Sequence, residues 1–291
     1  MAEAEWLAER FEENRDHLRA VAYRMLGSLS EADDAVQEAW LKLSRSGAEG
    51  VRNLSGWLTT VVARVCLDML RARRARREEA LEPDGGSAPA ALRRPGRDPE
   101  QEAVLAESVG LALLVVLETL APDERLAFVL HDLFALPFEE IAPLVGRTPA
   151  AARQLASRAR RRVRGESATP SAAELKSQRE VVEAFLTALR GRDLEGLMAV
   201  LDPEVVVRAD GAGAGPEVRG ARTWAQQAIT AARGARFAQP ALVDGAVGLV
   251  VAPQGRLFRA LHFTFKAGKI AAIEVVGAPE RLRQLELAVL E

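Results

Sequence analysis

Six residues, Ala150, Arg153, Gln154, Ser157, Arg161 and Arg164, have the types and spacing needed to hold nucleic acid. On a wheel of about 100° per residue they gather on one side of a helix, flanked by Arg158 and Arg160. Guanidinium groups neutralise phosphates, and Gln, Ser and Ala are short enough to meet base edges in a major groove. Thr148, Ala152, Leu155, Ala159 and Val163 share the opposite side, which is expected to pack inward. A second basic set, Thr60, Arg64, Arg71 and Arg74, lines one flank of an earlier helix that runs out into arginines. It suits a phosphate backbone, with Thr60 and Arg64 near unpaired bases. In both places the plain alternative is a solvated basic helix, which a charge run usually is.

The elements that carry these groups follow from periodicity. Phe138, Ile141, Leu144 and Val145 mark a short amphipathic helix, Gly146 supplies a turn, and Thr148-Pro149 caps and opens the next helix. That combination is a helix-turn-helix, and it favours DNA over simple solvation. Near the N-terminus, Trp6, Leu7, Phe11, Leu18, Val21, Ala22, Met25 and Leu26 make a long helix that stops near Gly27. A second helix, capped by Ser28 or Ser30, turns Ala32, Val36, Ala39, Trp40 and Leu43 inward. Asp34, Gln37, Glu38 and Leu41 lie on its other side, where an apolar Leu41 among acids reads as a docking surface or as plain solvation. A third helix has Leu54, Trp57, Leu58, Val61, Val62, Val65 and Met69 facing the core.

Composition narrows the classes. The chain has 291 residues and is 48% hydrophobic, enough for two or three cored domains. No apolar run is long enough to span a bilayer, and no basic, apolar leader opens the sequence, so we expect neither membrane nor export. One cysteine, Cys66, agrees with a reducing cytoplasm. No Cys/His cluster has metal spacing and no motif calls for a cofactor. The formal net charge of −2 hides arginines crowded into 71–77 and 153–164.

The stretch Tyr23-Arg24-Met25-Leu26-Gly27-Ser28, followed by Glu31 through Leu41, resembles the core-binding part of region 2 in bacterial sigma factors. Asn53 to Arg71 is similar to the promoter-melting part of that region, and Leu120 through Arg164 is similar to region 4. Order and spacing identify the first 165 or so residues with the extracytoplasmic-function class. The resemblance implies that Asp34, Gln37, Glu38 and Leu41 meet the polymerase β′ clamp helices. It places Asn53, Thr60 and Arg64 near the −10 element, with Arg71 and Arg74 on its backbone. The −35 element falls to Arg147, Ala150, Arg153, Gln154, Ser157, Arg158, Arg161 and Arg164. The implied partners are core RNA polymerase, through its β′ and β subunits, and promoter DNA. Opening a duplex needs capture of bases that have left the stack. The chain carries no nucleotide-hydrolysis motif, so that energy is expected from binding.

We therefore expect a multidomain fold. Sigma region 2 spans 1–78, a Pro/Gly-rich linker 79–99, region 4 with its helix-turn-helix 100–165, and a tether 166–172. Residues 173–291 read as helices first and a curved antiparallel sheet after, an α+β domain. Phe185 to Gly211 resembles the cone-shaped SnoaL-like domains, which accompany sigma factors in the SigJ-type subgroup. That subgroup's motifs appear here as Asp210-Gly211-Ala212-Gly213 and, departing at several positions, as Ala278-Pro279-Glu280-Arg281-Leu282; the resemblance makes Asp210, Gly211, Gly213, Pro279 and Leu282 the candidate regulatory residues. Such cones can host catalysis, with Asp202, Asp210, Asp244 and His262 as bases in principle. Acids beside Gly and Pro are more often turn residues, and we expect no enzyme. The expected role is promoter-specific initiation, regulated by contact of the last domain with the sigma domains. Two rivals stay open: a one-component DNA-binding regulator, and an enzyme targeted by the helical part.

Overall fold

The computed structural model describes residues 2–46, 53–79, 110–165, 171–211 and 215–290. They form two compact units, one of 2–46, 53–79 and 120–160, the other of 110–119 with the described residues from 161 onward.

The first unit opens with three helices, α1 (Ala2–Leu26), α2 (Leu29–Ser46) and α3 (Leu54–Glu79). Phe11, Leu18, Met25, Leu26, Leu43, Leu58 and Leu67 are fully enclosed between them. Gly27 takes a left-handed φ of 74° and turns the chain back. Phe11 against Trp40 at 5.1 Å and Arg19 on Asp33 at 2.8 Å then fix α1 antiparallel to α2. On α3 the buried stripe is Leu58, Thr59, Val62, Ala63, Val65, Cys66, Leu67 and Leu70, while Trp57, Val61 and Met69 are half-buried. The stripe is wider than periodicity predicts because α3 packs on α1 and α2 and also on the helices Pro122–Phe128 and Phe138–Val145.

The helix-turn-helix consists of α5 (Pro122–Phe128), a π-helical turn (Val129–Leu133), α6 (Phe138–Val145) and α7 (Pro149–Arg164). Gly146, with φ 66° and ψ 38°, ends α6 in the left-handed conformation that a side chain would resist. Thr148 Oγ1 accepts from Ala151 N at 3.3 Å and caps α7. Its inward face is Ala152, Ala156 and Ala159, all fully buried. Thr148, expected on that face, is exposed, and Ala156 takes its place. Three small side chains let the helix backbone approach its neighbours closely.

Within this unit Arg125, 3% exposed, donates from Nε (3.2 Å) and Nη2 (3.0 Å) to the Arg24 carbonyl. That carbonyl belongs to the last turn of α1, where no intrahelical donor remains. The Arg24 guanidinium stands over Phe134 at 5.3 Å, and His17 meets the same ring edge-on at 5.3 Å.

The second unit is α+β. Its sheet runs β2-β1-β6-β5-β4-β3-β7, with β1 Leu201–Ala209, β2 Val218–Arg219, β3 Ala238–Val243, β4 Ala246–Val251, β5 Arg259–Lys266, β6 Lys269–Val276 and β7 Leu287–Ala288. Helices α8 (Ala172–Gly191), α9 (Leu194–Val200) and α10 (Ala221–Ala231) share one core with it, including Phe185, Val205, Leu249, Phe263 and Ile273. Ser171 and Glu174 form a reciprocal capping box at the start of α8. The sheet is mixed, not wholly antiparallel: β1 pairs parallel with β6. The reason is the β5–β6 hairpin, which returns β6 beside β1 in the same direction.

A second cluster unites Ala241, Val243, Val250, Ala252 and Ala260 of the sheet with Leu111, Ala112, Val115 and Val116 of α4 (Leu111–Thr119). Gln239 Oε1 accepts from Ala112 N at 3.3 Å. Val163 joins that cluster, and its carbonyl accepts from Val289 N at 2.8 Å. Thus α4, expected to open the region 4 domain, packs on the sheet. Its sequence, LALLVVLET, is apolar almost all round and demands cover on more than one side.

Candidate nucleic-acid interface

All eight candidates of the recognition helix and its turn, Arg147, Ala150, Arg153, Gln154, Ser157, Arg158, Arg161 and Arg164, are exposed. They are held in different ways. Arg158 Nε binds Glu124 Oε1 at 2.8 Å, and the neighbouring Arg160 binds Asp132 at 2.5 Å. Arg153 instead lies over the Phe138 ring, 5.3 Å from its centroid. Acidic supports and an aromatic support thus restrain exposed cations on a helix whose fully buried residues are all alanine.

The α3 candidates are more engaged. Asn53 Oδ1 accepts from Gly56 N at 3.0 Å, so Asn53 caps α3. Thr60 is half-buried, and its hydroxyl donates to the Gly56 carbonyl at 2.9 Å, back onto its own helix. Arg64 and Arg74 are exposed. Arg71 pairs with Asp123 at 2.8 Å, in the first turn of α5. On α2, Asp34, Gln37 and Leu41 are exposed and Glu38 is half-buried, with Lys42 at 4.0 Å. Sequence reasoning missed the structural roles of Asp123, Glu124 and Arg125; an acid pair in the first turn of an apolar helix was the available signal.

The second unit brings the two regulatory motifs together. Asp210 Oδ1 accepts from Gly277 N (2.6 Å) and Ala278 N (2.8 Å), and Oδ2 from Arg281 Nη1 (2.7 Å). Arg281 also reaches Glu274 at 2.8 Å. The Gly277 amide, then Ala278 and Arg281, hold the Asp210 carboxyl below its ordinary range. Gly211 has φ 85°, and a Cβ there would stand 2.5 Å from the Gly277 carbonyl carbon. Pro279 opens a single-turn helix, α11 (Pro279–Leu282), and Leu282 packs on the α4–sheet cluster. Gly213 lies outside the described residues, as do most of the expected linker and tether.

The carboxylates considered for catalysis are structural. Asp202 Oδ1 accepts from Glu204 N at 2.9 Å, and Asp244, at φ 49° in the β3–β4 turn, accepts from Glu286 N at 2.8 Å. His262 sits mid-strand opposite Glu274. Among the described residues no cluster of His, Cys, Asp or Glu is placed to hold a metal, and no helix is long and apolar enough to cross a membrane.

A helix-turn-helix with an arginine-bearing outer face, beside a three-helix bundle with a second basic helix, defines a DNA-binding transcription factor. Residues 10–76 match the family model for sigma-70 region 2, and residues 110–163 that for sigma-70 region 4. Over 287 residues the chain is 37% identical to the ECF RNA polymerase sigma factor SigJ of Mycobacterium tuberculosis, covering 93% of this chain and 91% of the relative. SigI of the same species is 36% identical over 284 residues, covering 94% and 93%. The crystal structure of M. tuberculosis SigJ is similar at 33% identity, covering 94% of this chain and 97% of that one, with a TM-score of 0.45. The chain belongs to the extracytoplasmic-function RNA polymerase sigma factors. It is accordingly a transcription-initiation factor that works with RNA polymerase and promoter DNA, not an enzyme.

Proposed function

We propose that α7 reads the −35 element, that α3 holds the melted −10 strand, and that the exposed side of α2 docks on the β′ clamp. The observation that carries this is the division of α7. Its fully buried residues are all alanine, and each of its candidate DNA contacts is exposed. Such a helix can enter a major groove without exposing apolar surface. The place of action is the cytoplasm. Co-elution with bacterial core polymerase and initiation of RNA in vitro test the reading; failure of either overturns it.

We further propose that the C-terminal α+β unit regulates initiation through contact with sigma elements. What supports this is α4, which lies in the stretch matched to region 4 and whose apolar side packs on the sheet. A docking free energy of a few kcal/mol is enough to shift a two-state equilibrium substantially. Removing everything after Gly165 would strip the cover from α4, so a point change is the cleaner test. Leu111→Asp should loosen α4 while leaving the Phe185 core in place, and transcription at fixed polymerase concentration should change several-fold. Unaltered output with a folded variant would remove the regulatory claim.

A further inference from the structure

His131 and Arg153 both contact the ring of Phe138 in the helix-turn-helix. The His131 ring lies on the Phe138 ring with centroids 3.9 Å apart and planes 28° apart. His131 Nδ1 is 2.9 Å from the Leu136 carbonyl, which fixes the imidazole in the loop before α6. Phe138, itself buried, also has the Arg153 guanidinium over its ring, 5.3 Å from the centroid. A guanidinium on a carboxylate has committed part of its fork of N–H donors, as Arg158 and Arg160 have on Glu124 and Asp132. A guanidinium on a ring has committed only its flat face, and its N–H edge still points outward. An Arg side chain carries about 2 kcal/mol of rotamer entropy, part of which is lost when it binds. A platform that restricts it beforehand removes part of that cost.

We propose that Phe138 is a specificity-positioning residue: it holds Arg153 so that its donor edge meets one base pair of the upstream promoter element. This rests on the reading of α7 as the helix that enters the groove. Phe138 touches no DNA itself and acts through Arg153, with His131 fixing the plane of the platform.

The test is selection of duplexes with a randomised upstream element by the full chain assembled with core polymerase. Wild type, Arg153→Ala, Phe138→Leu, Phe138→Met, Phe138→Tyr and the Arg153→Ala/Phe138→Leu double variant are compared, each checked for folding by its thermal transition. Arg153→Ala should flatten base preference at one or two adjacent positions. The aliphatic variants should weaken preference at those same positions by about threefold, in line with a cation–π contact at an exposed site. Phe138→Tyr should restore it, the double variant should lose no more than Arg153→Ala, and the salt dependence of bulk DNA binding should stay as in wild type. The proposal is overturned if both folded aliphatic variants keep wild-type preference, or if the Tyr variant loses it as they do. If Arg153→Ala changes no position at all, the groove-reading assignment of α7 is what fails.

Discussion

Helices α3 and α7 both carry arginines that we propose for DNA, yet their surroundings differ. Along α7 the candidates are all exposed, and the opposite face buries Ala152, Ala156 and Ala159 with Leu155 and Val163 half-buried beside them. Along α3 three candidates already have local work: Asn53 caps the helix, Thr60 bonds to its own backbone and Arg71 rests on Asp123. A helix with one buried side keeps its whole outer face for a ligand. A helix packed by neighbours on several sides leaves only a strip, and polar residues beside it are drawn into the fold. The contrast teaches that a side chain's type nominates it for a contact, while its neighbours decide whether it is available.

The largest effect should come from the buried side of α7. Ala156→Asp buries a charge at a fully enclosed position and should cost several kcal/mol in chemical denaturation. Arg153→Asp, on the outer face of the same helix, should change stability by about 1 kcal/mol or less while abolishing selection of the upstream element. Equal destabilisation by the two would break the distinction between the faces. Next, Arg125→Ala leaves the Arg24 carbonyl without its charged donor and should cost about 1.5–3 kcal/mol. Arg71→Ala, breaking a half-exposed pair, should cost less than about 1 kcal/mol. Asn53→Ala should cost about 1 kcal/mol as a lost cap, whereas Asn53→Asp should keep the cap. If the Asp variant is stable but opens promoters poorly, Asn53 serves both fold and DNA.

The smallest effect concerns His17, which sits between Thr59 at 3.3 Å and the Phe134 edge. Burial lowers its pKa below the ordinary 6.5. The unfolded chain therefore takes up the proton first as pH falls, and folded-state stability declines from pH 6.5 downward until the folded form also protonates. The decline should be modest and absent in His17→Gln, as read from denaturation midpoints between pH 7 and 5. A flat wild-type profile would show that His17 is not shielded.

Much of this was legible in the residues. The face of α7 follows from a 100° period applied to Arg153, Gln154 and Ser157, and the turn from Gly146 followed by Thr148-Pro149. The cap role of Asn53 was not, because Asn at the head of a helix looks the same whether it faces a base or Gly56 N. The parallel β1–β6 pair joins Leu201 to Ile270, a separation over which strand direction leaves no local mark. The nearly uniform apolarity of α4 announced burial without naming its host. For Asp210, an acid beside glycine gave the turn, but its grip on Gly277 and Ala278 depends on a meeting of segments 67 and 68 residues apart.

The packing of α4 on the sheet has a practical consequence. Sequence families divide the chain so that α4 stays with the helix-turn-helix, yet its apolar side is roofed by strands drawn from the far end of the polypeptide. Fragments cut at the family boundary would leave one piece with a greasy helix and the other with a bare sheet, and both should precipitate. Heating the intact chain should give two cooperative melts, with α4 disappearing in the same step as the strands.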